Sequence, residues 1–141
     1  MDSLHVATLN IRNIADRWGE RLPLLLADMR ALQPDLMGLQ EVVYPMEQDR
    51  LLGAAGEARY RGSRGWAGRP EYGNSLLARE PLEATAEERL DLGRNRSAIR
   101  ALFHLPGGSE LLFTVTHLHH VPADESAREE QAAQIVAWLD A

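Results

Sequence analysis

Cysteine is absent from this chain of 141 residues, which rules out disulfides and thiolate metal sites but leaves the compartment open. Lysine is absent too: all 15 cationic side chains are arginine. Arginine forks suit phosphate oxygens, yet a biased composition explains a lysine-free chain more simply. The arginine content alone therefore locates no phosphate site. No apolar run approaches the roughly 20 residues that a membrane-crossing helix needs. The opening Met1-Asp2-Ser3-Leu4-His5 has no basic segment leading into an apolar one, so no secretory leader is visible and a cytoplasmic location is the expectation. Excess positive charge is also lacking. A net charge of -6 argues against a broad basic face gripping nucleic acid, without excluding a local basic groove.

What is present is an ordinary globular composition, 45% apolar and 26% charged, enough for a single domain over residues 1–141. Leu4-His5-Val6-Ala7-Thr8-Leu9 is short and apolar-rich between polar flanks, the pattern of a strand. A helix is expected from Gly19 to Leu32, with Leu22, Leu25, Leu26, Met29 and Leu32 on one stripe and Pro23 in its first turn. Gln33-Pro34 stops it, and Asp35 to Gln40 reads as a second strand, parallel to the first across a βαβ connection. A second helix is expected over Pro45 to Ala55, then a glycine- and arginine-rich loop or short strand from Ala58 to Arg69. Asn74 to Arg79 and a segment from Pro81 towards Leu92 read as extended. Ser97–Phe103 and Leu111–Thr116 form a hairpin around Pro106-Gly107-Gly108. A last helix starts at a capping box of Ser126 and Glu129, with Ala132, Ile135, Val136 and Leu139 on its buried face.

Three polar groups close strand-like runs: Asn10 after Thr8-Leu9, Glu41 after Leu39-Gln40, and His117 after Val115-Thr116. Open α/β sheets place their chemistry at such ends. A hard divalent cation takes oxygen ligands, often one or two carboxylates with water and substrate phosphate, and Glu41 would supply one. Asn10 could orient that carboxylate or a metal-bound water, or serve as a turn residue. Arg12 either reaches a phosphate or is simply exposed. His117 could hydrogen-bond a phosphoryl oxygen or protonate a leaving oxygen, or merely cap a strand. His117, His119 and His120 also raise a zinc alternative. The stretch Arg59 to Arg69 could follow a phosphate backbone or be a surface hairpin. Arg94 and Arg96 would make a second phosphate-facing pair.

The strings Thr8-Leu9-Asn10-Ile11-Arg12, Leu39-Gln40-Glu41-Val42, Tyr72-Gly73-Asn74-Ser75-Leu76-Leu77-Ala78-Arg79 and Thr116-His117-Leu118-His119-His120, in this order, resemble the endonuclease/exonuclease/phosphatase superfamily of metal-dependent phosphoesterases. His119 stands where that pattern usually has Asp. The resemblance implies an α/β fold, half of a four-layer α/β sandwich, with a mixed β-sheet and helices on one face. It implies Mg²⁺ or Mn²⁺ held by Glu41 with Asn10, catalysis by His117, Asn10 and Glu41, and substrate contacts from Tyr72, Asn74 and Arg96. The expected substrate is a phosphate ester from nucleic acid, phospholipid or a small phosphodiester. The superfamily's later Gly-Asp-x-Asn and Ser-Asp-His strings do not occur in residues 1–141, which reads as a C-terminally truncated domain. Impaired hydrolysis is therefore expected, with a complementing C-terminal half or self-association as a partner. The alternative is a non-catalytic interaction module that keeps the fold.

Overall fold

The structure, a computed structural model, describes residues 3–141, so the reading of Met1 and Asp2 lies outside it. Strand β1 (Val6–Asn10) runs into helix α1 (Trp18–Leu32), which returns the chain to β2 (Leu36–Val43). Val6 pairs with Leu36 and Asn10 with Gln40 in parallel register, as the βαβ spacing requires. After a 3-10 turn (Tyr44–Met46) and the short helix α2 (Gln48–Gly53), β3 (Tyr60–Gly65) and β4 (Tyr72–Arg79) complete a four-stranded mixed sheet in the order β1-β2-β4-β3. Strands β5 (Ala84–Gly93), β6 (Arg96–His104) and β7 (Glu110–Thr116) form a separate antiparallel sheet, and α3 (Glu125–Leu139) closes the described chain.

The two sheets face each other. Leu36, Leu76, Ala78 and Leu82 from one side meet Ile99, Ala101, Phe103 and Val115 from the other, all buried. The alternation of β2 explains this: Leu36 and Gly38 point at the second sheet, while Met37 and Leu39 point at α1 and α2. Gly38 is required by that approach, because a Cβ there would stand 2.9 Å from Val115 Cγ2. Helices α1 and α2 cover the outer face of the mixed sheet through Met29, Leu25, Leu26 and Leu52.

Three local expectations change. Pro23 sits inside α1, past its first turn, because the helix begins at Trp18; the carbonyl it orphans is that of Gly19, in an exposed turn that water reaches. Leu32 is 64% exposed instead of completing the stripe. Helix α3 has Asp124 at its N-cap with no side-chain cap bond, so Ser126 forms no capping box. Its inward side is Ala127 and Gln131, whereas Val136 is 60% exposed. The helix is therefore rotated from the expected face, because buried Gln131 is anchored by polar contacts to the His119 amide and the Gly93 carbonyl.

Candidate active site

The pairing of β2 with β4 contains an irregularity. The β2–β4 register slips between Leu39 and Val42, and Glu41 within that slip has φ 56, a left-handed backbone that a non-glycine residue adopts at a cost. Such a bulge re-aims side chains. Here it turns Glu41 out of the inward/outward alternation and into a cleft of about 720 Å³ at the strand ends. Asn10, Asn13, Tyr72, Arg96 and His117 line the same cleft.

Glu41 Oε1 accepts hydrogen bonds from Asn13 Nδ2 at 3.2 Å and from the Tyr72 hydroxyl at 3.1 Å. Burial pushes the carboxyl pKa up, but the Asn10 and Tyr72 side chains, the charge of His117 and Asn13 together hold it below its ordinary value. The reciprocal effect falls on Tyr72, whose hydroxyl is pushed up to about 12 by burial and by the facing carboxylate. Asn10 folds its own oxygen back onto the Arg12 amide at 2.9 Å, a local turn. In that orientation its NH₂ group is the end left for Glu41.

His117 comes from the other sheet, at the end of β7. Its Nδ1 lies 2.6 Å from Arg96 Nη1, and Arg96 Nη2 lies 2.9 Å from Nδ1 of His120. A guanidinium only donates, so both rings accept at Nδ1 and carry their proton on Nε2 when neutral. Burial, then the Arg96 charge, lowers the His117 pKa against the opposing pull of Glu41.

Not every expected residue reaches the cleft wall. Asn74 is only 3% exposed, and its Nδ2 donates to the Ser97 carbonyl at 3.0 Å, tying the two sheets together beneath the cleft. It lies in the floor, in a small pocket with Glu41, Tyr72 and His117. Arg96 lines the cleft and turns two of its five N–H groups to histidines. Arg12 pairs with Asp16 at 2.6 Å and is exposed. Arg94 pairs with Asp124, whereas Arg69 and Arg96 line the cleft with no ion pair to a carboxylate among the described residues. Within Arg59 to Arg69, most of the run is strand β3, with Arg61 and Arg64 committed to acidic partners.

Sequence reasoning missed Asn13, which touches Glu41, and Gln48, which is fully buried and bonds the Asn13 carbonyl at 3.0 Å and the Val43 amide at 2.7 Å. A polar residue three positions beyond a recognised strand end was the only signal for Asn13. Nothing in the local string marks Gln48.

The zinc alternative is corrected by the arrangement of the three rings. Arg96 occupies Nδ1 of His117 and His120, whereas His119 Nε2 turns away to Asp124 at 3.2 Å, so the three rings share no common metal position. Among the described residues no group of three His, Asp or Glu side chains is disposed to hold a metal. Among the described residues, Glu41 is the one carboxylate lining the cleft. Both hydrogen bonds above go to its Oε1, so Oε2 keeps lone pairs for a cation. One carboxylate with water and substrate phosphate is a Mg²⁺- or Mn²⁺-type donor set, and these residues fit it.

Solved structures share this fold. A mannosyl-6-phosphatase from Bacteroides thetaiotaomicron aligns with TM-score 0.78 and 22% identity, over 97% of this chain and 59% of that one. The human Nocturnin catalytic domain, with bound sulfate, aligns with TM-score 0.79 and 23% identity, over 96% of this chain and 58% of that one. TDP2 of D. rerio complexed with single strand DNA product aligns with TM-score 0.78 and 16% identity, over 97% and 54%. The chain thus spans less than three fifths of the length of these structures. No curated protein matches it by sequence. The family model described as endonuclease/exonuclease/phosphatase matches residues 7–141, and the chain belongs to that family of phosphoesterases.

Proposed function

We propose that residues 1–141 carry the cation- and phosphate-binding side of a phosphoesterase site, in which Glu41 holds Mg²⁺ or Mn²⁺, Asn10 and Asn13 orient the carboxylate, and His117 contacts the phosphate. One observation supports this most: a carboxylate on a bulge of one sheet and an imidazole at a strand end of the other line a single cleft. The family's enzymes are phosphoesterases and generally depend on divalent metals. The bound cation would supply charge neutralisation at the phosphoryl oxygens.

The remaining steps belong to the chain's own groups. Tyr72 and Asn13 keep the Glu41 carboxylate ionised and aimed, by donating to Oε1. His117, neutral and protonated at Nε2, donates that N–H to a non-bridging phosphate oxygen, where added negative charge strengthens the bond. Arg69 at the rim adds a cation for an anionic substrate. The substrate class is a phosphate ester; relatives of this fold include a mannosyl-6-phosphatase and a TDP2 seen with a DNA product.

Hydrolysis also needs a group to activate water, and no second carboxylate lines the described cleft. Residues 1–141 alone therefore bind metal and turn over slowly or not at all. The test is calorimetric titration with Mn²⁺ and Mg²⁺, together with assays on bis-p-nitrophenyl phosphate and plasmid DNA. Glu41-dependent metal binding with little turnover is expected. Binding unaffected by Glu41→Gln would remove the assigned roles and favour a non-catalytic module, and brisk turnover lost in His117→Ala would overturn the inactivity.

A further inference from the structure

Arg21, in the second turn of α1, does not face solvent as a charged helix residue usually does. Its guanidinium donates to five backbone carbonyls of the β1–α1 loop: Ile11 at 2.6 Å, Asp16 and Ala15 at 2.7 Å, and Arg12 and Asn13 at 3.3 Å. Trp18 stacks over it, 5.4 Å from ring centroid to the guanidinium carbon. The loop it gathers is costly. Arg12, Asn13, Asp16 and Arg17 all have positive φ, from 45 to 61, and none is glycine. A chain in that conformation turns its carbonyls towards a common point, and charge-assisted hydrogen bonds from one cation offset the strain.

The loop leads directly to Glu41. The Asn13 amide donates to the Glu41 carbonyl at 3.0 Å, and its side chain donates to Oε1 at 3.2 Å. The Asn13 carbonyl is held by Arg21 on one side and by buried Gln48 on the other, and Gln48 also grips Val43, two residues past Glu41. Gln48 thus pins β2 just past the bulge, and Arg21 and Gln48 together pin the Asn13 that contacts Glu41, though neither side chain lines the cleft.

We propose that Arg21, acting with Gln48, is a positioning residue for Glu41: it locks the 11–17 loop so that Asn13 presents its amide to the carboxylate and shapes the cation site. The cation part rests on the function proposed above; the Asn13–Glu41 contact does not. Nothing in this role touches substrate, so its loss acts through Asn13.

The experiment uses the 1–141 protein and two readouts. In the metal-free protein, the side-chain amide NMR signals of Asn13 report its bond to Glu41. Arg21→Ala shifts them towards free-amide values, and added guanidinium ion returns them. Gln48→Met, which preserves buried volume, shifts them in the same direction and is not rescued; it also carries the test if Arg21→Ala fails to fold. Manganese titration followed by electron paramagnetic resonance is the second readout. Arg21→Ala weakens Mn²⁺ binding by about tenfold, the low end of what losing a supporting partner costs, and guanidinium restores it. Guanidinium does not rescue Glu41→Gln. Unchanged Asn13 signals in a folded variant overturn the proposal. Shifted signals with no Mn²⁺ binding in the parent protein leave the positioning role standing and remove the metal reading instead.

Discussion

Arg96 Nη1 stands 2.6 Å from Nδ1 of His117, close enough to dictate the proton's place on that ring. The sequence offers Arg96 as a phosphate contact; in three dimensions it also fixes the His117 proton on Nε2 and adds its charge to the burial that lowers that ring's pKa. Replacing it with Met is expected to raise the His117 pKa and release the tautomer, read from the ring nitrogens by NMR. The sign follows from the depressed folded value. The unfolded chain takes the proton first, so the stability that neutral His117 contributes is present above its ordinary 6.5 and declines as pH falls below it. In Arg96→Met that decline flattens. A parent His117 protonated at Nδ1 would contradict the geometry.

Asp49 and Arg64 make the second polar commitment of the fold. The carboxylate is 2% exposed and is gripped twice by the guanidinium at 2.8 Å, while Ser75 donates to it at 2.8 Å. Burial alone would raise the Asp49 pKa, but Arg64 and Ser75 bring it below the ordinary value. Arg64→Met leaves a buried carboxylate unpaired, which costs about 3–5 kcal/mol. Urea unfolding should show that loss at neutral pH. The pair's contribution fades as pH drops through the lowered pKa of Asp49, so the gap between parent and variant narrows in acid.

How the two sheets meet gives a packing prediction. Gly38→Ala would set a methyl 2.9 Å from Val115 Cγ2 in a layer already filled by Phe103 and Ile99. Overpacking of this kind costs about 1–3 kcal/mol, so thermal unfolding shifts down by several degrees. Val115→Ala in the same chain should recover part of it, since the clash is with that side chain. Absence of recovery would mean that the strain lies elsewhere.

Strand ends were readable because their signal is local. Leu36-Met37-Gly38-Leu39 is apolar and Glu41 is not, and the parallel pairing of β1 with β2 follows from the connection between them. The burial of Asn74 was not readable, because its partner Ser97 is in the other sheet. The same holds for Gln48 and for the bulge at Glu41: both depend on contacts between segments far apart in sequence. Arg21 shows the limit most clearly. On a helix wheel it is one more exposed cation, and only the left-handed loop folded over it shows otherwise. The α3 stripe failed for a related reason, since Gln131 outranks its apolar neighbours through two polar anchors.

Tyr72 gives a test of the cleft that needs neither metal nor substrate. Its hydroxyl donates to Glu41 at 3.1 Å, and burial with that carboxylate pushes its pKa to about 12. Tyr44 is pushed to about 12 chiefly by burial, with Asp49 adding to it, and does not contact Glu41. Glu41→Gln removes the negative charge that opposes a phenolate at residue 72 while leaving Tyr44 in place. Ultraviolet titration of tyrosinate should therefore show one transition move down while those of Tyr44 and Tyr60, the latter also raised by burial, stay. Tyr72→Phe then identifies the moving one by abolishing it. The same substitution removes a donor from Glu41, so its carboxyl pKa should rise towards the ordinary value, weakening the proposed cation site in the variant. Titrations that coincide in parent and Glu41→Gln would mean that residue 41 and residue 72 do not share the cleft.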